Sequence, residues 1–259
     1  MFIESVNNNI IKQTVSLQNK KYRDELGLFV VEGEKQVLEI PKNYKIEYII
    51  LTEKYKHLNF TETKTYATTE TVFKKISDTT TPQGLLAVVR KPNYDIETIT
   101  NNKGLFLVLD CLQDPGNLGN IIRTAAAYNC KGIFISKNSV DVFSPKVVRS
   151  SMGTIFNVPV IQETDILNLL KIFKQKKVTT YALALQTESS FLSQTKFENN
   201  IAFIIGNESN GISGQVLNSA DKILKIEMLS SVQSLNAAIA ASIALYEGAK
   251  QVYAGKFGN

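Results

Sequence analysis

One histidine, two cysteines and no long apolar run narrow the chemistry of this chain before any motif is considered. The histidine, His57, stands between Lys56 and Leu58 in a polar stretch and reads as an exposed loop residue. Its isolation excludes an HExxH zinc site, a Ser-His-Asp triad and a histidine-rich metal centre, so no metal is expected. Cys111 and Cys130 lie too far apart for a CxxC metal or redox pair. With no secretory leader they read as reduced thiols of a cytoplasmic protein. No segment approaches the roughly 18 apolar residues that a membrane helix needs, and no membrane partner is expected. The GxGxxG spacing of a dinucleotide fold is missing too, which removes a nucleotide-dependent oxidoreductase. An enzyme built on this chain must work with Arg, Lys, Asn, Ser, Glu or a cofactor.

What is present is ordinary in bulk. A length of 259 residues suffices for one large or two ordinary domains. With 44% hydrophobic and 20% charged residues, the composition is that of a soluble globular protein. The net charge of +5 favours a polyanionic partner, because basic surface binds phosphate backbones by displacing counterions.

The amino-terminal half alternates short apolar strands with helical stretches. Residues 9–25 carry Ile10, Ile11, Val15 and Leu17 among Lys12, Lys20, Lys21 and Arg23, which predicts one amphipathic basic helix. Strands are expected at 28–31, 48–51 and 84–89, the last entered through Thr81-Pro82-Gln83-Gly84. The polar stretch from Lys91 to Lys103 reads as a linker. Beyond it, continuous apolar strands at 105–109, 132–135, 180–185, 201–205 and 223–226 alternate with helices. That pattern argues for a parallel sheet covered on both faces. Ser144-Pro145 has the chemistry of a helix start, and residues 165–174 show core-facing helical spacing. A final helix over about 235–252 is rich in alanine, which permits close approach of another backbone.

Three polar clusters punctuate this half. The first, Asp114-Pro115-Gly116-Asn117-Leu118-Gly119, ends a strand and opens a helix that carries Arg123. Its glycines allow a sharp turn, and the helix start favours anions. In the second, Gly206-Asn207-Glu208 with Gly211 follows another strand end. In the third, Ile226 leads through Ser230 and Ser231 to Ser234-Leu235-Asn236. Taken singly, each reads as a turn with a helix cap. Taken together, they line one crevice, since ligands of open α/β sheets bind outside the carboxyl ends of the strands.

In this order and spacing the clusters resemble the SpoU family of RNA ribose 2′-O-methyltransferases, the TrmH-like members of the SPOUT class. Asn117-Leu118-Gly119-Asn120-Ile121-Ile122-Arg123 fits the first family motif, Gly206-Asn207-Glu208 the second and Ser234-Leu235-Asn236 the third. In the amino-terminal half, Phe29-Val30-Val31-Glu32-Gly33 and Thr81-Pro82-Gln83-Gly84 are similar to the substrate-binding domain that many members carry. The resemblance implies three regions: a small α/β RNA-binding domain over 1–95, a linker over 96–103 and a methyltransferase domain over 104–259. The last would be a parallel-sheet α/β domain with a trefoil knot, which general chain rules would not predict.

The resemblance further implies an S-adenosylmethionine cofactor, contacted by Gly206, Ile226 and Leu235, and a homodimer joined through the knotted catalytic domain. Arg123, Asn117, Glu208, Ser234 and Asn236 would form the catalytic group. An unactivated ribose hydroxyl is a poor nucleophile and needs a base or a polarising group. Arginine is a poor base, so Arg123 would orient and polarise the hydroxyl jointly with an RNA phosphate. Asn117 would position Arg123 or the ribose. Lys20, Lys21, Arg23 and Lys35 are candidate RNA contacts in the first domain, and Lys146 and Arg149 in the second. The substrate expected is structured RNA, ribosomal before transfer RNA. A catalytically silent RNA-binding or ribosome-assembly protein of the same fold is the alternative from another class. The chain departs from the family at Glu227, where a proline is common, and at Asn129-Cys130, which replace an aromatic–glycine pair. The target nucleotide has no legible code, because RNA is selected by shape and single-stranded context.

Overall fold

Runs of β-branched and aromatic residues between amphipathic helices build two sheets, each the centre of its own compact unit. A computed structural model describes residues 1–186, 189–229 and 234–255. One unit comprises Met1–Asn93 with Asp141–Phe156, and the other Tyr94–Val140 with Asn157–Asn259.

The first unit runs β1 (Phe2–Ile3), α1 (Asn9–Ser16), α2 (Lys20–Leu26), β2 (Leu28–Glu32), α3 (Glu34–Leu38), β3 (Ile46–Leu51), β4 (Thr65–Thr68), α4 (Glu70–Ile76) and β5 (Leu85–Arg90). Its sheet has the order β1-β4-β3-β5-β2, parallel from β1 to β3 and antiparallel around β5. Ile11 and Leu17, with Val72, Phe73 and Ile76 of α4, pack on the face presented by Val30, Ile50 and Val88.

The single helix expected over 9–25 is two helices. Asn19 breaks it: its side chain accepts the backbone N–H of Lys21 and caps α2. The turn so made points Arg23 inward. Its guanidinium donates to the carbonyl of Leu17 at 2.7 Å, and from Nε and Nη2 to the carboxylate of Asp141 at 2.9 and 2.5 Å. Arg23 is only 3% exposed and therefore does not serve as an RNA contact, which corrects the expectation from its neighbours Lys20 and Lys21.

The stretch 141–156 belongs to this unit, although the sequence places it in the carboxy-terminal domain. Phe143 packs on Phe29 with centroids 4.8 Å apart, and Val147 and Val148 are buried. Lys146 and Arg149 accordingly lie on the first unit.

In the second unit the expected linker holds a helix, α5 (Ile96–Thr100), because Asp95 caps it by accepting the N–H of Thr98 at 2.8 Å. Then follow β6 (Leu105–Leu109), α6 (Pro115–Ala127) and β7 (Gly132–Ser136). After the excursion that contains α7 (Pro145–Ser150), the chain returns as β8 (Val160–Thr164), α8 (Ile166–Gln175), β9 (Thr179–Leu183) and β10 (Ser190–Phe191). It closes with β11 (Ile201–Ile205), α9 (Gly214–Ser219), β12 (Lys222–Lys225) and α10 (Ala237–Val252).

The sheet order is β10-β12-β9-β11-β6-β7-β8, and every pairing is parallel. All five residues of β6 and of β11 are buried, as the continuous apolar runs require. Residues of α5, α8 and α9 share one core with Phe106, Phe134 and Ile204. Helix α10 packs with α6 against β11 and β6. It comes so close that a Cβ on Gly248 would stand 2.6 Å from the ring of Phe203. The chain thus goes from β12, next to the outermost strand β10, to a helix seated on β11 and β6.

Candidate active site

Because all strands of the second unit run parallel, their carboxyl ends open on one side. There the connections after β9, β11 and β12 surround a cavity of about 370 Å³. Its walls are residues 183–186, 205–212 and 224–226, with Met228, Ser234 and Leu235. Gly206 is closed over by its own loop. Asn207 and Gly211 exchange two backbone hydrogen bonds of 2.9 and 3.0 Å, and a Cβ on Gly206 would meet the Gly211 carbonyl carbon at 2.1 Å. No side chain fits at that position.

The three clusters meet through side chains. Asp114 caps α6 by accepting the N–H of Asn117 at 2.7 Å, with Pro115 in the first turn. The Asn117 amide then donates to Glu208 Oε1 at 3.0 Å, and its oxygen accepts from Asn236 Nδ2, also at 3.0 Å. Asn236 in turn caps α10 through Ala238 and Ile239. Glu208 also takes the backbone N–H groups of Gln113 and Asp114 at 3.2 and 3.1 Å. Burial opposes ionisation of Glu208, but these donors outweigh it and hold the carboxyl below the usual carboxylate range. A carboxylate so occupied is a pin between strand ends and a poor proton acceptor.

The expected cofactor contacts Gly206, Ile226 and Leu235 all line the cavity, as do Glu208 and Ser234. The Ser-rich turn expected at Ser230 and Ser231 falls outside the described residues. Arg123 stands apart: it is exposed, does not line the cavity, and has no hydrogen bond or ion pair among the described residues. Asn117 does not hold it, contrary to one expected role. Six helical residues advance about 9 Å and turn about 240°, which sets the two side chains on different faces of α6.

Asp110 and Asn207 anchor the loops, although the sequence assigned neither a role of its own. Buried Asp110 accepts the N–H of Ser213 at 2.8 Å, so Ser213 fixes its loop through its backbone, with no side-chain cap. Asn207 donates to the carbonyl of Cys111 at 2.8 Å. Residues 183–186 could have been found from the rule that ligands gather at strand ends. Burial pushes the Cys111 thiol up, away from the thiolate a nucleophile would need.

Of the basic residues expected to meet RNA, Lys21, Lys35 and Lys146 are exposed on the first unit. Lys20 pairs with Asp24 at 2.6 Å and Arg149 with Asp78 at 3.3 Å.

This architecture has known counterparts. Residues 104–246 match the model of the SpoU rRNA Methylase family, and residues 8–87 match the MRM3-like substrate binding domain. The chain is 32% identical over 247 residues to the 23S rRNA (guanosine(2553)-2′-O)-methyltransferase RlmP of Bacillus subtilis, covering 94% of this chain and 97% of that protein. Among solved structures, the AdoMet-bound rRNA methyltransferase from Sinorhizobium meliloti superposes with a TM-score of 0.83 at 26% identity, covering 96% of this chain and 97% of its own. The SpoU methyltransferase AviRb from Streptomyces viridochromogenes, in complex with AdoMet, gives a TM-score of 0.86 at 25% identity, with 96% and 100% covered. With both units matched and the three motif clusters joined at one set of strand ends, the chain belongs to the SpoU rRNA Methylase family.

Proposed function

We propose that this protein methylates a ribose 2′-hydroxyl of ribosomal RNA, with S-adenosylmethionine as donor, and works as a homodimer. The observation that carries the reading is the hydrogen-bonded chain Glu208–Asn117–Asn236, which ties three motifs together beside the cavity. The cavity suits the cofactor. Its volume of about 370 Å³ falls within the range of small-molecule sites. Ile205, Ile226 and Leu235 offer apolar walls, and Gly206 lets the Asn207–Gly211 loop close tightly at the cavity's edge. Gly206, Ile226 and Leu235 would hold the group, which supplies an electrophilic methyl when bound.

The residues of the chain divide the remaining work. Glu208, Asn117 and Asn236 keep the strand ends in register around the cofactor. Arg123, unengaged among the described residues, presents guanidinium donors to an RNA phosphate and so orients and polarises the attacking hydroxyl. Among relatives matched over both units, two are named as rRNA methyltransferases and another as a tRNA/rRNA methyltransferase, which favours ribosomal RNA here. For the dimer, α10 exposes Ile239 at 52% and Tyr246 at 43%, and Tyr246 meets Tyr128 edge-on with centroids 5.9 Å apart. Such an apolar patch on α10 suits a second copy of the chain.

Mapping 2′-O-methylation across total RNA with and without the gene tests the function, together with calorimetric titration of S-adenosylmethionine. Loss of a ribosomal RNA methylation and measurable cofactor binding are expected. An unchanged methylation map, or no cofactor binding, would sink the reading. Light scattering on the purified protein tests the dimer.

A further inference from the structure

Glu227, the residue that departs from the family's proline, has a definite partner. Its carboxylate accepts hydrogen bonds from the backbone N–H of Ser193, at 3.3 Å, and from the Ser193 hydroxyl. That clasp ties the segment after β12 to the single turn Leu192–Gln194. It also holds β10 beside β12, with Phe191 opposite Lys225.

A groove of about 450 Å³ runs along this edge, lined by Phe191, Gln194, Thr195, Lys196 and Lys222 among others. Phe191 is 40% exposed, and Lys225 Nζ sits 4.8 Å from its ring centroid. Lys196 and Lys222 are exposed, Lys222 with its Nζ 5.6 Å from the ring of Tyr181. No carboxylate lines the groove among the described residues. Leu224 lines both the groove and the candidate cofactor cavity, and Lys225 lines the cavity, so the two spaces adjoin.

Lysines on a sheet edge have a plain use, since they discourage strand addition by another chain. An exposed phenylalanine works against that use and calls for another. An aromatic face backed by one ammonium group and flanked by two more is the combination that takes unpaired nucleotides. The base stacks on the ring while the phosphates meet the lysines.

We propose that this groove binds an unpaired segment of the RNA substrate, with Phe191 stacking one base and Lys196 and Lys222 meeting the adjoining phosphates. Ser193 and Glu227 are positioning residues that keep Phe191 in place. The proposal rests on the RNA methyltransferase reading above and extends the substrate path along the catalytic unit.

The test uses the full-length protein, a short single-stranded oligouridylate and a duplex RNA control. Phe191→Ala is expected to weaken oligouridylate binding by about tenfold, the scale of one stacked base. Duplex binding and the affinity for S-adenosylmethionine should stay unchanged, and Phe191→Trp should restore the lost affinity. A Lys196→Glu, Lys222→Glu double variant should lower the salt dependence of oligouridylate binding by about 1.4 units of slope. Unaltered oligouridylate affinity in Phe191→Ala would overturn the proposal, as would equal losses in the alanine and tryptophan variants. Failure of the unaltered protein to bind S-adenosylmethionine would strike the methyltransferase reading instead. An edge that serves only to block self-association would show aggregation of the double variant with RNA affinity intact, which also overturns the proposal.

Discussion

Arg23 and Arg123 each lie on a helix, and the two regions treat them in opposite ways. In the first unit the Arg23 guanidinium is buried and spends its donors on Asp141 and on the carbonyl that ends α1. On α6 the Arg123 guanidinium is exposed, with no partner among the described residues. At the strand ends Asp114, Asn117, Glu208 and Asn236 are all engaged with one another or with helix ends. A charge that is desolvated and paired builds structure, and it is costly to strip of its partner. A charge left exposed and unpaired is the one available to a ligand.

Three substitutions can break or sharpen that contrast. The largest effect is expected from Arg23→Ala, which leaves Asp141 buried without its cation. Stability should fall by about 3–5 kcal/mol in denaturant unfolding, while the folded fraction keeps its affinity for S-adenosylmethionine. Next comes Arg123→Ala, with methyl transfer reduced by about 10²–10³-fold, as when one transition-state donor is lost. Its unfolding midpoint should stay within about 0.5 kcal/mol of the parent. If Arg123→Ala unfolds as readily as Arg23→Ala, or retains near-normal turnover, the division between the two arginines collapses.

The smallest effect concerns Glu208. Its carboxyl lies lower in the folded protein than the ordinary 4.5, so the folded state binds fewer protons than the unfolded chain. The contribution is therefore complete above about pH 4.5 and is lost as pH falls through the folded value. Glu208→Gln turns an amide toward one of the donors and removes that titration. It should cost no more than about 1 kcal/mol at neutral pH and flatten the acid limb of stability against pH. An unchanged acid limb would mean that Glu208 does not pin the strand ends.

The parallel sheet was easy to read because β6 and β11 are unbroken apolar runs, and only strands buried on both faces need such runs. Short edge strands were not. The two-residue β1 and β10 carry exposed Phe2 and Phe191, which give no alternation to detect. The break between α1 and α2 stayed hidden because Asn19 is tolerable within a helix and becomes decisive only as a cap. Arg23 looked like surface charge because its partner lies 118 residues away.

At the site, motif resemblance supplied the residues, and Gly206, Ile226 and Leu235 do stand together around the cavity. What it did not supply was the wiring. That Asn117 joins Glu208 to Asn236, rather than serving Arg123, depends on how the loop closes over Gly206, and local sequence does not encode that distance.

The return of residues 141–156 to the amino-terminal unit has a consequence for how the protein is made. Chains emerge from the ribosome at about 5–20 residues per second, so Arg23 is exposed to water for several seconds before Asp141 arrives. The unit cannot finish folding until Phe156 has followed, by which time β6 and β7 of the other unit are already outside. A fragment cut at Asn93 would lack the counterion for a guanidinium meant to be buried. Recombination between relatives should therefore succeed only where residues 141–156 travel with the amino-terminal piece.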